Sequence, residues 1–331
     1  MSEKRPPMPV RDKGGSASLN NPDDGTPISY SLVVGDGLLL VTEKCTYRLQ
    51  MADQIDPERK NPDLAPTAQQ KIFDHGMKSD LMRGTLLHAK VMFKEGFQEI
   101  DIPRALLHSF DALSNLIAIR DAEVAFKAKV DAAAEKVGAG TRSGGSLVLP
   151  AAGGVREDCK TFIQRADHFS HDLLEIVRLF YPETKGWPDF LELSERLYGT
   201  EDHLTKLLAQ VVPILVLLRD ARNCLDHHLK GVTIQDFAVL PDGGIHLPSI
   251  EIDFKTSKHP RICAATFMHE ITEWLLVGFE QITVHICAKK LKPFAGMEFS
   301  IAEVQPPFKE KWPCHYAYGL FSKDGQFSPC G

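Results

Sequence analysis

Several features are missing from this chain of 331 residues, and each absence closes a class of function. Its longest apolar run, about a dozen residues broken by Gln210 and Pro213, falls short of the roughly twenty a membrane-crossing helix needs. The N-terminus is polar with no apolar segment behind it, so nothing marks the chain for secretion. Seven cysteines, at 45, 159, 224, 263, 287, 314 and 330, are odd in number, widely spaced and without a CxxC pair. That pattern gives no disulfide framework and no structural zinc, and it fits a reducing cytoplasm. Excess positive charge is absent too. A net charge of −6 argues against a broadly basic nucleic-acid coat, while leaving room for a local cationic site. Gly35 and Gly37 lack the longer glycine pattern and following helix of a phosphate loop, so they read as a turn. His269-Glu270 begins like a zinc-protease motif, but Glu273 stands where the second histidine belongs. His168 and His171 have a metal-compatible spacing and no third ligand in sight. Neither a metal nor another cofactor is expected.

What is present is ordinary globular material, 43% hydrophobic and 25% charged, enough for one large domain or two modest ones. The organising stretch is Leu207 to Gly231. It begins as a helix apolar on every side, through Val211, Val212, Ile214, Leu215, Val216, Leu217 and Leu218, the pattern of a segment wrapped by other helices. It ends in charge, with Arg219, Asp220, Arg222, Asn223, Asp226, His227 and His228, and Gly231 is the expected stop. At about 100° per residue, Arg219, Asn223 and His227 share one face and Arg222 with Asp226 lies beside them. Ile214, Leu218, Ala221 and Leu225 continue the opposite face into the core.

In chain order, residues 1–29 read as a disordered tail, rich in Pro, Gly, Ser, Asn and charge. Residues 30–98 form an N-terminal extension. In it, a hairpin turns about Gly35-Asp36-Gly37, a proline-punctuated loop or arm covers 43–68, and helical character runs from about Ala68 to Phe93. Residues 99–291 form a helical domain. Its helices are expected from Asp101 to about Val137, from Arg156 to Tyr181, from Trp187 to Tyr198, through the central stretch capped near Thr200 and kinked at Pro213, and from His259 to Leu291. A glycine-rich connection covers 138–154, and a β-hairpin insertion at 232–254 turns at Asp242-Gly243 beside the polar stripe. Residues 292–331, rich in proline and aromatics, read as a non-regular strap. The fold expected is mainly α, a helical bundle with a hairpin insertion and a small N-terminal β/α extension.

The six residues Arg222-Asn223-Cys224-Leu225-Asp226-His227 resemble the signature of the HEPN superfamily of helical ribonuclease and nucleotide-associated domains: an arginine, a polar neighbour, and a histidine after four to six positions. His227 fits with four residues between and His228 with five. Arg83 to His88, Arg165 to His171 and Arg196 to His203 meet the spacing as well, but only Arg222 carries the adjacent asparagine and ends a strongly apolar helix. The resemblance covers the motif and the helical context of residues 99–291. It implies a homodimer in which two motifs form one cleft, cutting RNA without metal to 2′,3′-cyclic phosphate and 5′-hydroxyl ends, in the manner of toxins and defence effectors. An antitoxin or other regulatory protein is then a natural partner. In that chemistry histidine serves as acid or base, so His227 is the first candidate and His228 the second. Arg222 offers a fork matched to phosphate, Arg219 a further substrate contact, and Asn223 a neutral group to orient imidazole or phosphate. The alternative reading is a non-catalytic helical dimerisation or adaptor module whose stripe makes an interface.

Overall fold

The computed structural model describes residue 11 and residues 25–137, 142–143, 146–293, 299–306, 308, 312–322 and 325–330. Strands β1 (Tyr30–Val34) and β2 (Gly37–Val41) form the expected hairpin, with Val34 opposite Gly37 and Gly35 at φ 58° in the first turn position. Leu32 and Val34 point inward while Val33 stays exposed, the period-2 pattern of a sheet with one buried face. Beyond the hairpin the arm expected at 43–68 is not a loop. β3 (Thr46–Met51) and β4 (Thr67–Phe73) complete an antiparallel meander in the order β1-β2-β3-β4, with a four-residue turn of helix, α1 (Ala52–Ile55), between them. Pro57, Pro62 and Pro66 all fall in the connection, where a missing amide hydrogen costs no ladder bond. β4 is an edge strand with most side chains exposed, so no apolar period announces it. The tail expected at 1–29 lies largely outside the described residues. Arg11 is described, and it is buried against α1, 2.8 Å from Asp53 and 2.7 Å from Asp56.

Two short helices follow, α2 (Asp80–Gly84) and α3 (Leu86–Met92), the latter buried on nearly every side. The long helices lie close to expectation: α4 (Ile102–Val137), α5 (Val155–Phe180), α6 (Trp187–Tyr198) and α7 (His203–Asp226). α5 buries Phe162, Ala166, Phe169, Leu173, Ile176 and Phe180, the stripe its 3.6-residue period sets out. Each fully buried large apolar side chain contributes about 1.5–3 kcal/mol. α7 passes Pro213 unbroken. It is capped by the Asp202 carboxylate, which accepts from the Leu204 amide at 3.0 Å, and not at Thr200. The glycine-rich connection lies partly outside the described residues; within it a minimal pair forms, β5 (Arg142–Ser143) with β6 (Ser146–Leu147).

The insertion is larger than a hairpin. β7 (Val232–Gln235) pairs with β10 (Ser249–Phe254), and β8 (Ala238–Val239) pairs with β9 (Ile245–His246) around a turn at 240–244. β11 (Ser257–Cys263) then adds a third strand in the order β11-β10-β7. The final helix, α8 (Ala264–Lys289), therefore starts at Ala264 and not at His259. Pro260 lies within β11, where it is tolerated on an edge. At the C-terminus β12 (Ser300–Glu303), β13 (Tyr316–Phe321) and β14 (Phe327–Pro329) make an antiparallel sheet, a correction to the expected strap.

About 49% of the described residues are helical and about 21% are in strands, so the chain is a mixed α/β protein and not the mainly α bundle its periodicity suggested. Most strands outside the two expected hairpins are short or lie in polar or proline-bearing segments, where periodicity carries little signal. The sheets also belong to the core. One continuous apolar cluster runs from Leu32 and Val34 through the long helices to Ile250 and Ile252 and on to Tyr318. Among the described residues no helix is long and apolar enough to cross a membrane.

Candidate site at the exit of helix α7

Helix α7 places its apolar residues as the sequence required: Val211, Val212, Leu215, Leu218, Ala221 and Leu225 are buried. Its polar end divides. Asp220 turns inward and accepts a 2.7 Å hydrogen bond from Ser257 at the start of β11, which ties the insertion sheet to the helix. Arg219 is exposed, and Arg222 and Asn223 are half-buried.

The helix stops at Asp226, earlier than Gly231. His227 is the C-cap residue, its amide bonded to the Asn223 carbonyl at 3.0 Å. The Leu229 amide reaches back to the Cys224 carbonyl at 2.9 Å, the long return bond of a Schellman ending. His228 takes the left-handed position of that ending, φ 53°, which glycine usually fills. Gly231, at φ 141°, instead serves the entry into β7, where an added Cβ would lie 2.9 Å from Phe254 Cβ. His227 thus sits in a turn and does not continue the helical stripe begun by Arg219 and Asn223. Both imidazoles are exposed, and neither makes a hydrogen bond or ion pair among the described residues.

Arg222 Nε lies 2.8 Å from Asp226 Oδ2 and 4.0 Å from Asp167 Oδ2 on α5, an ion-pair contact in which the buried Nε makes no hydrogen bond, and neither terminal nitrogen donates one among the described residues. The Arg222 side chain keeps 37% of its exposure, whereas Asp167 keeps 3%. Asp226 is the hub of this corner. It accepts from Gln164 Nε2 at 2.7 Å and lies 3.5 Å from Lys160 Nζ. Partial burial pushes its carboxyl up, but the Gln164 hydrogen bond and the charges of Arg222 and Lys160 outweigh that and hold it below the usual carboxylate value.

Sequence reasoning missed the α5 side of the site. Lys160, Gln164, Asp167 and His171 follow one another at i, i+4, i+7 and i+11, one polar stripe facing α7. That spacing was the available signal, obscured because His171 had been paired with His168 as a metal candidate. His171 Nε2 lies 3.9 Å from Asp167 Oδ2. With Arg219, Arg178 and Lys185 these two residues line a small cavity of about 70 Å³ between α5 and α7. Arg178 is itself engaged, its guanidinium bonded to the Thr184 and Lys185 carbonyls and to Glu175.

A different set of residues is of metal-ligand type. Among the described residues, His108 and Asp111 of α4 and Asp172 of α5 bring their donor atoms within 4.8 Å of one another. Burial pushes the Asp172 carboxyl up to about 6, against a hydrogen bond from Asn115. Burial also pushes Asp111 up and His108 down. His168 and His171 border the neighbouring open groove but are not part of this cluster.

No family model, curated protein or solved structure matches the chain.

Proposed function

We propose that this protein is a metal-independent endoribonuclease that works as a homodimer in the cytoplasm, with RNA as substrate and Arg222, Asn223 and His227 as its working groups. The observation that carries this reading is the state of Arg222: its Nε lies in ion-pair contact with Asp226, while its two terminal nitrogens are unengaged among the described residues and its side chain is partly exposed. A guanidinium held at its base presents its outer fork to a phosphate with little orientational freedom left to lose. His227, at the helix end, acts as the general base or acid on the 2′-hydroxyl and 5′-oxygen. Asn223 orients the phosphate or the ring, and Arg219 takes the next phosphate along the strand. A single histidine cannot hold both proton-transfer roles at once, so a second copy completes the cleft with its own arginine and histidine. The products would be 2′,3′-cyclic phosphate and 5′-hydroxyl ends. Cells expressing an active copy would grow poorly without an antitoxin or other regulatory protein.

One observation favours a second reading. Asp167 and Asp226 place two carboxylates within 4.0 Å of one arginine, an arrangement that offsets its charge and repels phosphate. On that reading the half-buried Asn223 and the exposed His227 and His228 make a protein interface, and the chain is a non-catalytic dimerisation or adaptor module. Incubation with mixed RNA in EDTA separates the two. Cleavage to cyclic-phosphate ends, lost in both Arg222→Ala and His227→Ala, upholds the nuclease. No cleavage, with dimers that dissociate in the same variants, replaces it with the module.

A further inference from the structure

A cavity of about 590 Å³ lies away from the α7 exit, between β1, the end of α3 and the segment leading into β13. That volume is within the range of small-molecule sites. Three aromatic side chains, Tyr30, Phe93 and Trp312, supply apolar wall. Two cations, Lys90 and Lys94, sit four residues apart across the end of α3 and face the same space. Both are half-buried, and neither ammonium has a hydrogen-bond or ion-pair partner among the described residues. In a chain of net charge −6 with many acidic residues at hand, two sheltered and unpaired lysines are unusual. Glu95 on the rim is exposed and offsets one of the two charges.

The walls set the rest of the complement. Tyr30 and Trp312 are half-buried and line the cavity, whereas Phe93 is almost fully buried and only backs its wall. The indole Nε1 of Trp312 is sealed from solvent and so closed to a ligand in the cavity. Burial, with Cys314 nearby, pushes the Tyr30 hydroxyl up. Two unpaired cations beside half-buried aromatic rings define the complement.

We propose that this cavity binds a small anionic molecule with a flat aromatic body, a carboxylate or phosphate ester whose anion meets Lys90 and Lys94. The Tyr30 and Trp312 rings pack on the body and the ammoniums hold the charge. None of these residues belongs to the α7 exit, so the site does not depend on the nuclease reading.

Calorimetric titration of the full chain tests it with 2-naphthoate as the carboxylate probe, adenosine 5′-monophosphate as the phosphate-ester probe and adenosine as the uncharged control. At least one anion is expected to bind with a Kd below about 1 mM, and adenosine at least tenfold more weakly. The double variant Lys90→Gln/Lys94→Gln should weaken binding by about tenfold or more. Which anion binds distinguishes carboxylate from phosphate ester. No binding of either anion at about 5 mM, or equal binding by wild type and a folded double-lysine variant, overturns the proposal.

Discussion

Two places in this molecule gather imidazoles, carboxylates and hydrogen-bond donors, and they are built in opposite ways. Beneath the C-terminal sheet, His88 Nε2 lies 2.8 Å from Thr283 Oγ1, His315 Nδ1 lies 2.8 Å from Glu280 Oε1, and the Tyr318 hydroxyl donates to the Met92 carbonyl at 2.7 Å while Gln98 donates to it. His88, Thr283 and Tyr318 are fully enclosed, and burial pushes the Glu280 carboxyl up against the opposing pull of His315. At the α7 exit the reverse holds: His227, His228 and Asn223 have no side-chain partner among the described residues, and a non-glycine residue occupies a left-handed position. The first cluster spends most of its polar atoms on one another, His88 Nδ1 excepted, and so fixes where β13 docks. The second leaves donors facing solvent and carries backbone strain, the pattern of a surface kept for something else.

The widest gap between the two should appear in stability. Tyr318→Ala removes a fully buried ring stacked 4.7 Å from Phe97 and strands Gln98 and the Met92 carbonyl, so it should cost about 3–5 kcal/mol in urea denaturation. Among molecules that remain folded, RNA cleavage should be unchanged. A Tyr318→Ala protein of normal stability would mean that the cluster is no better packed than the exit.

Arg222→Ala should do the opposite, lowering cleavage by about 10²–10³-fold with a far smaller change in the urea midpoint. Arg222→Lys should not restore the rate, because an ammonium lacks both the fork and the Nε contact to Asp226 that holds it. Full activity in the lysine variant would reduce Arg222 to a simple positive charge.

Acid separates the clusters more gently. Burial, with the charge of His315 adding to it, pushes the His88 imidazole from 6.5 down to about 3. The unfolded chain therefore takes up a proton that the folded chain refuses. The stability from a neutral His88 is complete above pH 6.5 and is lost as the pH falls from 6.5 toward 3. His88→Gln, which keeps a donor for Thr283 without a titrating ring, should show a shallower fall in urea midpoint across that window. Parallel slopes for variant and wild type would mean that His88 is not held neutral.

The contrast also explains what could be read from the sequence. α5 and α6 are legible to within a residue or two because Phe162, Phe169 and Ile176, or Trp187 and Phe190, repeat at helical spacing against a core that demands it. β4 is not, since its exposed TAQQKIF has no buried face to impose a period. β11 was absorbed into the following helix because Ile262 and Cys263 run without a break into the apolar start of α8. Arg222 and Asn223 were found from local chemistry, but their α5 neighbours were not. Asp167 lies 55 positions upstream of Arg222, and its relation to it exists only once α5 packs on α7. The helix end was placed too late because Gly231 is the conventional stop, while the chain uses His228 in the left-handed position.

That misplacement supplies the smallest and most selective test. His228 follows the C-cap of α7 at φ 53°, with the Leu229 amide bonded back to the Cys224 carbonyl, a geometry in which a Cβ is unfavourable and glycine is at ease. His228→Gly should therefore raise stability by about 0.5–1 kcal/mol, the relief of strain being partly offset by the greater freedom of glycine in the unfolded chain. If His227 is the proton-transfer group, the variant should also cleave RNA within about twofold of wild type, because the ring it loses is not the working one. A gain in stability with loss of cleavage would transfer the role to His228 and make its strained backbone part of the mechanism. No gain in stability would show that the left-handed position costs the chain nothing, and the α7 exit would then lose one of the two features that set it apart from the buried cluster.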